Sequence, residues 1–161
     1  MPFIIDGCNL LWAIEKTGDR REKMTDVALC HVIGRYLKLV GQHGEVIFDG
    51  TGPCDKGRFD NISNLEVYFA GLGTDADTVI EDKIKADNAP KGLTIVSSDH
   101  RIRDAARRRG SCSVTSLVFW NDLREQLRSN ATAQEPEAKR MGLTESETEE
   151  WLRFFGIEQR E

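Results

Sequence analysis

Strand-like apolar runs and helical stripes alternate along this chain, and that alternation restricts it to an α/β domain built on a parallel sheet. Phe3-Ile4-Ile5 is a short continuous apolar run, as expected for a strand covered on both faces. Residues 9–14 read as one or two helical turns and residues 18–21 as a loop. Over residues 25–42, Val27, Cys30, Ile33, Leu37 and Val40 form one helical stripe, with Leu29, Val32, Tyr36 and Leu39 beside it. So wide an apolar face predicts a helix buried against a sheet and a neighbour. Further strands are predicted over residues 45–49, 65–69, 93–97 and 113–115, and further helices over 76–87, 100–109 and 117–128. Residues 50–64 have no period. They predict a long loop, of the kind that is often functional and is long enough to cross between parallel strands.

The 161 residues suffice for one domain and a short appendage. Residues 1–128 are expected to form the domain, 129–142 a linker around Pro136, and 143–161 a terminal helix. Thr144 and Glu147 suit a capping box for that helix, and Trp151, Leu152, Phe154 and Phe155 give it an aromatic face. No apolar run approaches the roughly 20 residues of a membrane span. The chain enters its first strand directly after Met1-Pro2, with no basic segment leading an apolar core, so a cytoplasmic protein is expected. Its four cysteines, Cys8, Cys30, Cys54 and Cys112, lack C-x-x-C or zinc spacing and are expected as free thiols.

Acids decide the functional reading. Asp6, Asp49 and Asp99 each close an apolar run, so all three belong to the carboxyl edge of the sheet, where open parallel sheets bind ligands. The helix opening at Ala76 starts from the same edge and carries Asp75, Asp77, Glu81 and Asp82. At 100° per residue, Ala76, Val79, Ile80 and Ile84 mark its buried side. Asp77 and Glu81 border that side, and Asp82 points to solvent. Each acid also has a structural explanation. Thr74 to Asp77 resembles a capping box, Asp99 suits a helix N-cap, and Asp49-Gly50 is a common turn pair. Their coincidence at one edge favours a shared role. Like charges gathered without bases repel, and a divalent cation relieves them. Hard oxygen donors with no His or Cys nearby point to Mg²⁺ or Mn²⁺. Such an ion can lower the pKa of a bound water and steady a transferring phosphoryl group, which suits phosphodiester hydrolysis. The net charge of −5 does not exclude RNA. Residues 1–128 hold 18 Lys+Arg against 19 Asp+Glu, a net of −1, and the excess of acid lies in the tail.

Four segments then resemble one family in order and spacing. Phe3-Ile4-Ile5-Asp6-Gly7-Cys8-Asn9-Leu10 is similar to the opening motif of NYN domains, nucleases of the PIN-like fold, and most of all to their YacP-like branch. Val46-Ile47-Phe48-Asp49, Asp75-Ala76-Asp77-Thr78-Val79-Ile80-Glu81 and Val96-Ser97-Ser98-Asp99 resemble later segments of that branch. Cys8 stands where tyrosine is common. The resemblance covers about residues 2–128. It implies a three-layer, Rossmann-like sheet of about five parallel strands in the order 3-2-1-4-5, and a metal-dependent endoribonuclease. Carried over by position, Asp6, Asp77 and Asp99 match the metal-binding catalytic acids. Glu81 matches an extra ligand and Asn9 a polar neighbour of the first acid, with Asp49 and Asp75 supporting from outside.

Lys56 and Arg58 on the long loop, and Arg101 and Arg103 after Asp99, could hold RNA phosphates. Arg107-Arg108-Arg109 suits a helix C-terminus without any ligand. Trp12 and Phe59 could stack bases, but core packing is the simpler expectation. The expected partner is single-stranded RNA. The alternative is a non-catalytic RNA-binding or ribosome-associated module on the same fold. A small-molecule phosphohydrolase fits poorly, because Asp6 is followed by Gly7-Cys8 where Asp-x-Asp is usual.

Overall fold

The computed structural model describes residues 2–17 and 23–131. Five strands, β1 (Phe3–Asp6), β2 (Gly44–Phe48), β3 (Leu65–Phe69), β4 (Thr94–Val96) and β5 (Cys112–Val114), form one sheet in the order β3-β2-β1-β4-β5. Every pairing is parallel. The expected order and architecture are therefore present. Helices α1 (Gly7–Lys16), α2 (Asp26–Leu39), α3 (Ala76–Ala86), α4 (His100–Arg109) and α5 (Ser116–Ala131) connect or follow the strands. Between β2 and β3 there is only the expected loop, with one 3-10 turn at Gly57–Phe59.

The register sorts side chains to the two faces, because successive residues of a strand alternate. Ile4, Asp6, Ile47 and Ile95 share a face with α3 and α4, and the three isoleucines pack with Ile80, Ile84, Ile102 and Ala106. On α3 the buried residues Ala76, Ile80 and Ile84 recur every four positions, a single stripe set against the sheet. Phe3, on the opposite face, meets Tyr36 of α2 and Phe119 of α5, ring on ring. Parity thus sends Asp6 toward the helices that carry the other candidate acids.

Cys30, Ile33 and Leu37 are buried as the α2 stripe predicts, with Leu29, Val32 and Tyr36. Gly34 lies among them. A Cβ there would stand 2.5 Å from Ile62 Cγ2 and 2.8 Å from the Ser63 carbonyl oxygen. Replacing glycine within a helix ordinarily stabilises it, but the Ser63 backbone cannot swing aside as a side-chain tip can. We expect Gly34→Ala to lower stability by about 2 kcal/mol, an overpacking cost read from urea melts. Equal or greater stability would show that residues 62–63 yield.

Several expectations need correction. α1 begins at Gly7 with no loop after β1, because Asp6 itself caps it, and it is longer than residues 9–14. Trp12 is not core: it is 54 % exposed, with Lys16 Nζ 3.6 Å from its ring centroid. Phe59 is buried as expected. α3 is capped by Asp75 rather than Thr74, since the Asp75 side chain accepts from Thr78 N. Aspartate is at least as good an N-cap as threonine, and it wins by one position. α5 reaches Ala131, three residues into the stretch read as linker. The chain divides into two units, Met1–Trp120 and Asn121–Glu161. The rest of the linker, the Thr144/Glu147 capping box and the aromatic face near Trp151 lie outside the described residues. All four cysteines are free thiols. Among the described residues no helix is long and apolar enough to cross a membrane.

Candidate active site

β1 runs straight into α1, and Asp6 sits at the junction with 4 % of its surface exposed. One carboxylate oxygen accepts from Asn9 N at 3.2 Å, and the other from the Ser97 hydroxyl at 3.1 Å. Loss of hydration disfavours the ionised form and pushes the Asp6 pKa up to about 6. The bonds from Asn9 and Ser97 act against that, and the nearby Asp77 and Asp49 charges reinforce it.

The turn from β4 to α4 is built on the same residues. Asp99 caps α4: its Oδ1 accepts from Arg101 N at 2.8 Å and from Ile102 N at 3.3 Å. Ser97 Oγ, while donating to Asp6, accepts from Asp99 N at 3.1 Å, so one hydroxyl joins the two acids. Asn9 fastens the turn from the other side. Its Oδ1 accepts from Ser98 N at 2.9 Å and from Ser116 Oγ at 2.6 Å. Sequence reasoning missed Ser97 and Ser116. Position gave a signal for Ser97, two residues before an acid at a strand end. Nothing local marked Ser116, which depends on where β5 releases the chain.

α3 brings the remaining acids. Asp49, at the end of β2, accepts from Ala76 N at 2.8 Å and so holds the helix start to the sheet edge. Asp75 is exposed, and its cap bonds to Thr78 lower its pKa. Asp77 is half-buried, and its side chain has no hydrogen bond or ion pair among the described residues. Burial raises its pKa, and the charges of Asp99 and Asp75 raise it further, against an opposing pull from Arg101. Asp82 faces solvent as expected. Glu81 is different: both its oxygens are engaged by Arg101, Nε to Oε1 at 2.8 Å and Nη2 to Oε2 at 3.1 Å.

The predicted acids are therefore neighbours. Asp6 feels Asp77 and Asp49, and Asp77 feels Asp99. They do not close on one point, for among the described residues no three His, Cys, Asp or Glu side chains could hold a single ion. The expectation of a ready-made cluster is not met, because Asp6 and Asp99 are each turned to cap a helix. Of the expected RNA contacts, Lys56 and Arg58 are exposed on the loop after β2, with Lys56 Nζ 5.4 Å from the Phe69 ring centroid. Arg101 stands beside the acids, whereas Arg103 is partly buried. A cleft of about 500 Å³ opens next to the site and meets it only through Cys8 and Asp49. Its other walls include Leu11, Met24, Phe48 and Phe69.

Comparison with known proteins agrees with this architecture. The family model described as the YacP-like NYN domain matches residues 3–154. A crystal structure of Rae1 (YacP) from Bacillus subtilis superposes with a TM-score of 0.69 at 18 % identity, covering 97 % of this chain and 92 % of that one. A tryptophan-to-leucine mutant of the same protein gives 0.63 at 17 % identity, covering 94 % and 90 %. At such identities the likeness speaks for the fold alone. No curated protein matches significantly.

Proposed function

Because the chain belongs to the family of YacP-like NYN domains, a nuclease-type domain, we propose that it is a divalent-metal-dependent endoribonuclease acting on single-stranded RNA. The observation that carries this reading is Asp6. It is an acid buried at the carboxyl end of β1, beside the β1/β4 pair, with Asp77 and Asp49 as its charged neighbours. A buried carboxylate facing other carboxylates costs stability, and the position is the one at which such sheets bind ligands.

The donor chemistry fits Mg²⁺ or Mn²⁺. Every candidate oxygen is a hard carboxylate oxygen, and Mg²⁺ is ordinarily bound through one or two carboxylates with several waters retained. Asp77, which neighbours both Asp6 and Asp99, would hold the ion together with one or other of them, water filling the remaining positions, and a bound ion would supply positive charge for the phosphoryl oxygens and a water of lowered pKa. The chain's own residues do the rest. Asn9 N and the Ser97 hydroxyl fix the Asp6 carboxylate at the end of β1, while Ser97 Oγ and Asn9 Oδ1 accept from the backbone N–H groups of Asp99 and Ser98 and so fix the turn that carries Asp99. Asp49 sets the start of α3, and with it Asp77. Lys56, Arg58 and Arg101, all exposed, would meet backbone phosphates, contacts that position the strand without reading its sequence.

The purified protein should cleave an unstructured RNA in Mn²⁺ or Mg²⁺ and stop in EDTA. One observation favours a second reading, a non-catalytic RNA-binding module: the acids do not converge on one point. Titration calorimetry with Mn²⁺ separates the two. Heat of binding that disappears in Asp77→Asn supports the nuclease, and RNA binding without any metal uptake supports the module.

A further inference from the structure

Arg101 is placed against the preference of its own helix. It lies in the first turn of α4, where the helix dipole disfavours a cation. What holds it there comes from α3. Its guanidinium takes both Glu81 oxygens side-on, at 2.8 and 3.1 Å, and Nη2 also donates to Thr78 Oγ1 at 3.3 Å. Its backbone N–H meanwhile donates to Asp99 Oδ1 at 2.8 Å. One residue therefore touches the acid that opens α4 and grips the helix that carries Asp77. Its charge is felt by Asp75 and Asp77. Nε and Nη2 are committed to α3, and Nη1 has no partner among the described residues. The Arg101 side chain is half exposed, at 49 %.

We infer that the paired Glu81 and Arg101 form a phosphate-binding clasp. Arg101 donates through Nη1 to a non-bridging oxygen of the RNA backbone beside the carboxylates, and Glu81 is the residue that positions it rather than a metal ligand. This rests on the proposed nuclease site and deepens it by assigning its anion contact. The physical argument is preorganisation. A free arginine side chain loses rotamer freedom when it binds, whereas one already held in a planar fork loses little. The fork also fixes orientation: a guanidinium anchored by two nitrogens presents the third along one direction. The pair joins α3 to α4 through a Glu81 side chain that is only 14 % exposed, so it also contributes to stability, but that role leaves Nη1 unused. A backbone phosphate is the anion that an RNA strand would bring to this edge, where the proposed ion would also face it.

The test uses RNA binding in EDTA, so that it does not depend on catalysis. A fluorescent single-stranded RNA is titrated by anisotropy at several salt concentrations. Arg101→Ala should weaken binding about tenfold and lower the slope of log affinity against log salt by about 1, the release expected for one lost phosphate contact. Arg101→Lys keeps the charge and the fold but not the fork, and should fall between. Glu81→Gln should weaken binding about threefold in the native background and have no further effect once Arg101 is alanine, as one coupled unit requires. In cleavage assays Glu81→Gln should raise KM and leave unchanged the Mn²⁺ concentration for half-maximal rate. If Arg101→Ala and Arg101→Lys both bind like the native protein at every salt, the inference is wrong while the nuclease reading survives. A shift in Mn²⁺ requirement for Glu81→Gln, with binding intact, makes Glu81 a metal ligand and also overturns it. Failure of the native protein to bind RNA removes the reading and the inference together.

Discussion

Asp77→Asn is expected to abolish RNA cleavage, lowering the rate by about 10²-fold or more, while leaving the melting curve within about 0.5 kcal/mol of the native protein. The two parts of that expectation come from one fact. Asp77 makes no hydrogen bond or ion pair among the described residues, so its replacement removes no structural contact. What it removes is a charge held where burial, Asp99 and Asp75 all oppose it. A side chain kept in such a place without a structural partner has its partner elsewhere, and the proposed ion is that partner. RNA affinity in EDTA should be unchanged or slightly higher, since a negative charge has left the candidate site. Asp99→Asn should abolish cleavage too. An asparagine still caps α4, because the cap bonds fall on one oxygen that the amide retains. Asp75→Asn and Asp82→Asn are the controls: the first remains a cap, the second faces solvent, and both should cleave. Undiminished cleavage by Asp77→Asn and Asp99→Asn together would remove the site assignment.

Why the placement of Asp77 was legible from sequence and the Glu81–Arg101 pair was not has a physical basis. Strand ends and helix stripes are local. Phe3-Ile4-Ile5-Asp6 carries its own termination, and Ala76, Ile80 and Ile84 fix the orientation of α3 and hence of Asp77. Each of these is settled within a turn or two of chain. The pairing of Glu81 with Arg101 is not. It requires α3 and α4 to lie side by side with their starts in register, a consequence of β1 and β4 being neighbours. No periodicity records that, so Glu81 was matched by position to a metal ligand while its carboxylate is engaged by a cation twenty residues away. Ser116 escaped for the same reason, whereas Ser97 was marked only by its place two residues before Asp99. Trp12 failed differently: α1 is a short helix, and its pattern does not say how far the sheet covers it. The shortfall in convergence also has a local cause, since Asp6 and Asp99 answer the unsatisfied N–H groups of α1 and α4 as well as any ligand.

Asp6→Asn should be more stable than the native protein at neutral pH and inactive. In the fold the Asp6 pKa stands at about 6, against 3.8 for the ordinary carboxyl. A raised folded-state pKa means that the native state holds the proton more tightly than the unfolded chain, so ionisation works against folding. The penalty is absent below 3.8, develops between 3.8 and about 6, and is complete above that. At 1.36 kcal/mol per unit, its full size is about 3 kcal/mol. Asparagine removes the charge and keeps the geometry: its oxygen still accepts from Asn9 N, and its amide can donate to Ser97 Oγ. In EDTA at pH 7.5, Asp6→Asn should therefore melt roughly 5–10 °C above the native protein. The gap should narrow as the pH falls through 6 and close near pH 4, because protonation then gives the native protein what the substitution supplies. Manganese reverses the order of benefit. An ion that binds only the folded state stabilises by mass action, about 2.7 kcal/mol at a hundred times its dissociation constant. The native protein should gain that and Asp6→Asn should not. If Asp6→Asn melts lower than the native protein at pH 7.5 without metal, the buried charge is not the cost described. If both gain equally from Mn²⁺, the ion binds somewhere other than beside Asp6.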